Sequence, residues 1–152
     1  LIFDEIEYLE SKTKVVNLLT SNKIWELLTS VQLDHNVNSE QGGRVAHDAF
    51  DSDGNEYEYK VSKSCAWSFQ DISDTVLKKY LSDKAIILAV VDKTEFKVTT
   101  IFTASPKKVV KRLKEKLSEK KLRYKKQGKA LTRLLVSLVK GDLKKINARQ
   151  IL

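Results

Sequence analysis

The chain of 152 residues suits one domain with a single core and is too short for two comfortable ones. With 41% hydrophobic and 32% charged residues it reads as soluble and globular; no apolar run approaches the ~18 residues of a membrane span, and a lone cysteine, Cys65, excludes an internal disulfide or a thiolate zinc cage. The net charge of +8 is unevenly distributed, with 11 basic and 17 acidic side chains in residues 1–104 against 17 basic and 3 acidic in residues 105–152.

No charged leader with an apolar stretch and a small-residue cleavage site opens the chain, so a cytoplasmic location is expected. Val15, Val16, Leu18 and Leu19 form a first cluster at helical spacing. Ile24, Leu27, Leu28 and Val31 follow at i, i+3, i+4 and i+7, with Ser21 or Asn22 as cap. Residues 32–43 are polar, end in Gly-Gly and read as a loop. The run 44–50, the turn at Asp53-Gly54 and the run 56–63 spell a β-hairpin. Ile72, Val76, Leu77, Tyr80 and Leu81 mark a short helix capped by Ser68 or Asp71. Residues 85–91 are continuously apolar, as a central strand covered on both faces requires. Phe96, Val98, Thr100 and Phe102 alternate as another strand. Ser105-Pro106 starts a helix that continues through Val109, Val110, Leu113 and Leu117. Leu131, Leu134, Leu135, Leu138 and Val139 predict a last helix over 129–140, closed by Gly141. The order predicts an α/β fold: a mixed sheet flanked by helices (residues 1–104) and a basic helical segment (105–152) packed on it as one domain.

Chemistry concentrates on the hairpin. If its turn is the three-residue loop Ser52-Asp53-Gly54, with Gly54 taking the positive φ of a bulge, Asp48 falls opposite Glu58. Opposite residues share a face with Cβ atoms about 5 Å apart, and Lys60 lies two residues along the same face. A two-residue turn would instead set Ala49 opposite Glu58. Two close carboxylates repel unless a cation lies between them, and few hard oxygen ligands suit Mg²⁺. Such a metal polarises phosphate and acidifies a bound water, while the Lys60 ammonium orients that water or offsets charge on phosphorus. Asp51 is the fallback ligand should the register slip. The basic half indicates a polyanion partner, because each cation that neutralises a phosphate releases a counterion.

Asp48, a ten-residue step and then Glu58-Tyr59-Lys60 resembles the signature of the PD-(D/E)XK nucleases, which include type II restriction endonucleases. The resemblance covers roughly residues 10 to 91, although His47 stands where the family often has proline. It implies a restriction endonuclease-like core, Mg²⁺ held by Asp48 and Glu58, and Lys60 and Gln70 as catalytic partners. It further implies an acid from the first helix: Glu26, with Glu10 and Glu40 as alternatives. The implied activity is hydrolysis of double-stranded DNA by a homodimer, leaving 5′-phosphate and 3′-hydroxyl ends. Lys63 and Ser64, after the triplet, and Lys107, Lys108, Lys111 and Arg112, on the basic helix, are the expected DNA contacts.

A plainer reading accompanies each residue. Asp48, Glu58 and Lys60 could be a solvated strand face; Trp67 and Phe69 suit core anchors. His47 should share the Tyr59 face as a packed histidine, and Cys65 should be inert. The alternative function is a non-catalytic nucleic-acid-binding module using the basic half. It explains the charge layout and leaves the facing acids unexplained.

Overall fold

The computed structural model describes residues 2–13, 23–38 and 47–152. The predicted cluster at 15–19, its neighbours Ser21 and Asn22, Glu40 and the first three residues of the 44–50 run lie outside them, as does the side chain of Glu10. In chain order the elements are α1 (Ile2–Thr13), α2 (Lys23–Leu33), β1 (Asn36–Val37), β2 (Ala49–Phe50), β3 (Glu56–Ser62), β4 (Ala66–Phe69), α3 (Asp74–Ser82), β5 (Ala85–Asp92), β6 (Lys97–Ala104), α4 (Pro106–Lys126), β7 (Val136–Val139), α5 (Asp142–Lys145) and β8 (Arg149–Gln150).

Six strands form a mixed sheet in the order β1-β2-β3-β5-β6-β8, and β4 and β7 form a separate ribbon. The β3–β5 pair is parallel, whereas the other pairs are antiparallel. A parallel pair needs a crossover connection, which β4 and α3 supply. The uninterrupted apolar run of β5 follows from its central place. Ile86 and Leu88 face α3 and α4 with Phe69, Leu77, Tyr80, Val109 and Leu113. Ile87, Ala89 and Val91 face Trp25 of α2 on the other side, with Tyr59 and Ile101. The mixed α/β layering is therefore present, and the strand expected at 85–91 lies inside the sheet as Ala85–Asp92. Trp67 and Phe69 are core residues, and the indole of Trp67 donates to the Ala89 carbonyl at 2.9 Å. Among the described residues no helix is long and apolar enough to cross a membrane.

Several local expectations fail, each for a physical reason. Helix α2 buries Trp25, Thr29 and Ser30 and leaves Val31 exposed, so its packed face is rotated from the predicted stripe. The polar 32–43 segment contains β1, which extends the sheet past β2. The helix after the hairpin is capped by Ser73, whose hydroxyl accepts from the Val76 amide, and not by Ser68 or Asp71. Ser68 belongs to β4, a strand the sequence reading missed. Phe96 precedes β6 in a turn, with φ of 56°. Pro106 opens α4, but the Ser105 hydroxyl makes no capping bond.

The largest correction concerns 129–140, which is not a helix. After Gly128, whose φ of 65° ends α4, the chain runs irregularly into β7. There Val136 and Leu138 point into the core and Ser137 and Val139 point away. The spacing 131, 134, 135, 138, 139 satisfies a helix, but the unpaired edge of β4 offers backbone partners to the same residues. Trp67 pairs with Leu138 and Phe69 with Val136. The C-terminal third is thus not simply helical: β7 completes the ribbon, and β8 pairs with β6 at the sheet edge.

Asp142 fastens this return. It is 2% exposed; Oδ1 accepts from Arg112 Nε at 2.7 Å, and Oδ2 accepts from Lys116 Nζ at 2.6 Å and the Val139 amide at 2.8 Å. Burial works to raise its pKa, but the bonds from Lys116, Val139 and Arg112 outweigh it and bring the carboxyl down to about 2. Breaking one side of such a buried cluster costs about 3 kcal/mol, so Asp142→Asn is expected to lower urea stability by about that amount at neutral pH. Because the folded pKa lies below the unfolded one, the wild-type advantage is present above pH ~4 and shrinks as pH falls toward ~2. A variant that matches wild type at both pH values would show that the cluster contributes nothing.

Candidate active site

The hairpin forms with the three-residue loop. The Asp51 amide donates to the Asn55 carbonyl at 3.0 Å, the Gly54 amide to the Asp51 carbonyl at 3.1 Å, and Gly54 has φ of 81°, which favours glycine. Asp51 organises this loop: its carboxylate accepts from the amides of Asp53 and Asn55, the Asn55 side chain and the Tyr57 hydroxyl. These bonds, that of the Asn55 side chain foremost, hold it down to about 2. It is a turn anchor and does not line the pocket described below. Ala49 pairs with Tyr57 and Phe50 with Glu56, and continuing that register sets Asp48 opposite Glu58. The ladder itself is short, and at Asp48 the side chain takes over: its Oδ2 accepts from the Tyr59 amide at 2.8 Å.

Glu58, Lys60, Asp48, Glu26 and Gln70 all line one pocket of about 430 Å³, with Ser62 and Ser68 on its wall. Glu58 is only 5% exposed. Its Oε1 lies 3.3 Å from Lys60 Nζ and its Oε2 lies 3.2 Å from Lys79 Nζ, yet Oε2 makes no hydrogen bond. Lys60 rests against the rings of Phe69 and Tyr80, at 5.3 and 5.8 Å from their centroids. Burial works to lower its pKa, but the Glu58 carboxylate, with help from Tyr80 and Asp48, holds it above its ordinary value. Glu26 reaches the pocket from α2, where it pairs with Lys23 Nζ at 3.0 Å. Burial raises its carboxyl, the Glu58 charge adds to the rise, and Lys23 opposes it.

Asp48 carries the strongest consequence. Burial first, then the charges of Glu58 and Glu26, push its carboxyl up to about 8 against the pull of the Tyr59 amide and Lys60. Three acids surround the pocket, and the cost of burying their charge together falls most heavily on Asp48. Among the described residues no three of His, Cys, Asp and Glu are grouped as a ready metal cluster. The donor chemistry nevertheless fits a hard divalent cation: the oxygens belong to carboxylates, one buried oxygen of Glu58 has Lys79 nearby but no hydrogen bond, and burial with two neighbouring acids holds the Asp48 carboxyl well above its ordinary range.

Other expected residues fall elsewhere. Gln70 stands at the end of β4, four positions before α3, and its Oε1 accepts from Arg133 Nη2 at 2.8 Å. Lys63 and Ser64 are exposed in the β3–β4 turn beside the pocket. Lys107, Lys108 and Lys111 are exposed on α4; Lys108 and Lys111 border a different depression with Arg112, Glu115 and Lys145. Arg112 is bound to Asp142 and to Glu115 at 3.1 Å, so the structure gives it a fastening role. His47 does not share the Tyr59 face: it contacts Asp83 through Nδ1, and its Nε2 lies 3.3 Å from Glu56. Burial pushes Asp83 up to about 6, with His47 opposing. Lys79, Tyr80 and Arg133 escaped the sequence reading because each reaches the site across the tertiary fold. The α3 stripe did mark Tyr80 as inward-facing, without indicating that it faces Lys60.

Compared with known protein families and with curated proteins, the chain finds no match in either.

The Asp48 carboxyl gives a pH test. Its folded pKa is above its unfolded one, so the wild-type fold loses stability as pH climbs from about 4 toward about 8. Asp48→Asn can still accept from the Tyr59 amide and carries no charge to bury. In thermal melts without divalent ions it is expected to exceed wild type above pH ~8, with the gain vanishing toward pH ~4. An equal margin across that range would contradict the burial of this carboxyl.

Proposed function

We propose that the chain is a metal-dependent endonuclease of the PD-(D/E)XK type that hydrolyses double-stranded DNA, acting as a cytoplasmic, homodimeric type II restriction endonuclease. The observation that carries this reading is the convergence of Asp48, Glu58 and Lys60 with Glu26 and Gln70 on one open pocket. The order of helix, hairpin, crossover and buried strand supports it, since it sets Glu58 and Lys60 on β3, between β2 and β5, with Asp48 just before β2. Asp48 and Glu58, joined by Glu26, would hold Mg²⁺, which when bound would polarise a phosphate and acidify a water. Lys60 supplies an ammonium on the same wall, shielded by Phe69 and Tyr80 and therefore stronger toward a phosphate oxygen than a solvated lysine. Gln70 offers its amide at the rim.

A second reading has its own observation. Both oxygens of Glu58 face lysine ammonium groups, as they would in a structural ion cluster within a non-catalytic binding module. Plasmid DNA incubated with Mg²⁺, with and without chelator, separates the two. Chelator-sensitive cutting is expected, and Lys60→Ala and Glu58→Gln should each reduce it at least ~100-fold while duplex binding persists. Glu58→Gln is the sounder variant, because truncating this buried side chain to alanine would strand Lys79. Cutting at wild-type rate in either variant would refute the assignment.

The α4 cations are assigned to phosphate contacts that give affinity with little sequence information. Lys111 is exposed and Arg112 is tied to Asp142. Replacing both should therefore lower the slope of log affinity against log salt by about one unit, not two, and should also destabilise the fold. Salt titrations of duplex binding beside urea titrations check both effects.

A further inference from the structure

A polyanion approaching the pocket meets Glu26, Asp48 and Glu58, and the positive groups nearest them are already engaged. Lys23 holds Glu26, while Lys60 and Lys79 hold Glu58. Several cations of α4 are likewise occupied: Arg112 and Lys116 by Asp142, Lys120 by the Leu135 carbonyl at 2.6 Å. Arg133 differs. Its one hydrogen bond among the described residues goes to Gln70 Oε1, a neutral acceptor on the pocket wall, and no described carboxylate pairs with it. The guanidinium is exposed, with most of its donor fork still facing solvent.

Its position is built into the fold. The Ile72 amide donates to the Leu134 carbonyl at 3.2 Å, Lys120 grips the next carbonyl, and Val136 pairs with Phe69. The backbone beside Arg133 is thereby pinned to the end of β4, one residue from Gln70. Arginine suits this task because its planar fork can keep one N–H on an amide oxygen and present others to two phosphate oxygens.

We propose that Arg133 is the phosphate-binding arm of this pocket, receiving a backbone phosphate of duplex DNA at the rim while Gln70 orients its guanidinium. The assignment rests on the DNA-hydrolase reading above. It makes the irregular 127–135 segment, carried to the site by the β4–β7 ribbon, part of the DNA surface.

The test is duplex binding by fluorescence anisotropy in chelator, across salt concentrations, for wild type, Arg133→Gln and Arg133→Lys, alongside plasmid cutting in Mg²⁺. Arg133→Gln keeps an amide donor for Gln70 and removes the charge at an exposed site, so the fold should survive, as a thermal melt will verify. It is expected to bind about 10-fold more weakly at ~0.1 M salt and to lose about one unit of salt slope. Arg133→Lys should keep the slope and recover only part of the affinity, because it retains charge without the fork. Wild-type affinity and slope in Arg133→Gln, from a wild-type protein that cuts DNA, would overturn this assignment alone. A wild-type protein that neither binds nor cuts duplex DNA would overturn the hydrolase reading and this one with it.

Discussion

The arrangement of the site depends on keeping the Glu58 carboxylate in a nearly dry position. A buried carboxylate is costly unless paired, and removing one partner leaves the other stranded. Glu58 is paired twice, by Lys60 from its own strand and by Lys79 from α3. The second partner exists only because β3 and β5 are parallel, which sends the connecting chain across the sheet face and sets α3 over the hairpin. Tyr80, the next residue, then packs against Lys60 with Phe69 of β4. Acid, lysine and crossover helix are therefore one unit, and the geometry of the pocket is a by-product of the sheet topology.

The same pairing leaves a deficit next door. Lys60 and Lys79 serve Glu58, and Lys23 serves Glu26, so Asp48 is buried beside two acids that the Tyr59 amide and the more distant charge of Lys60 only partly offset, and its carboxyl is pushed up to about 8. A pocket in that state is chemically prepared for added positive charge, which is the physical content of the metal proposal. Sites of catalysis are often held away from their own electrostatic optimum, and a shifted group in a cleft with a specific charge neighbour is a reason to look for function there.

The positive charge of the C-terminal third divides into two kinds. Arg112, Lys116 and Lys120 bind internal acceptors and weld α4 to β7 and α5. Lys107, Lys108, Lys111 and Arg133 keep their charge on the surface. Composition alone cannot make this division, since both kinds count equally toward the net +8.

Much of the site's framework was readable in the residues themselves. The residues allowed a two- or a three-residue turn at Asp53-Gly54; the three-residue loop that forms sets the register, and that register puts Asp48 opposite Glu58 with Lys60 beside them. These are local rules, acting within some 13 residues of chain. The unbroken apolar run at 85–91 likewise pointed to its central place, because a strand covered on both faces has no polar side to show. What lay beyond sequence was decided by partners distant in the chain. The 129–140 stripe fits a helix by spacing, and β7 forms there because β4 presents an open edge some 70 residues earlier. Lys79 reaches Glu58, and Arg133 reaches Gln70, through contacts spanning 21 and 63 positions. Periodicity records which side of an element is buried; it carries no record of what that side is buried against, and that is settled only when backbone edges and charges find their partners in the folded chain.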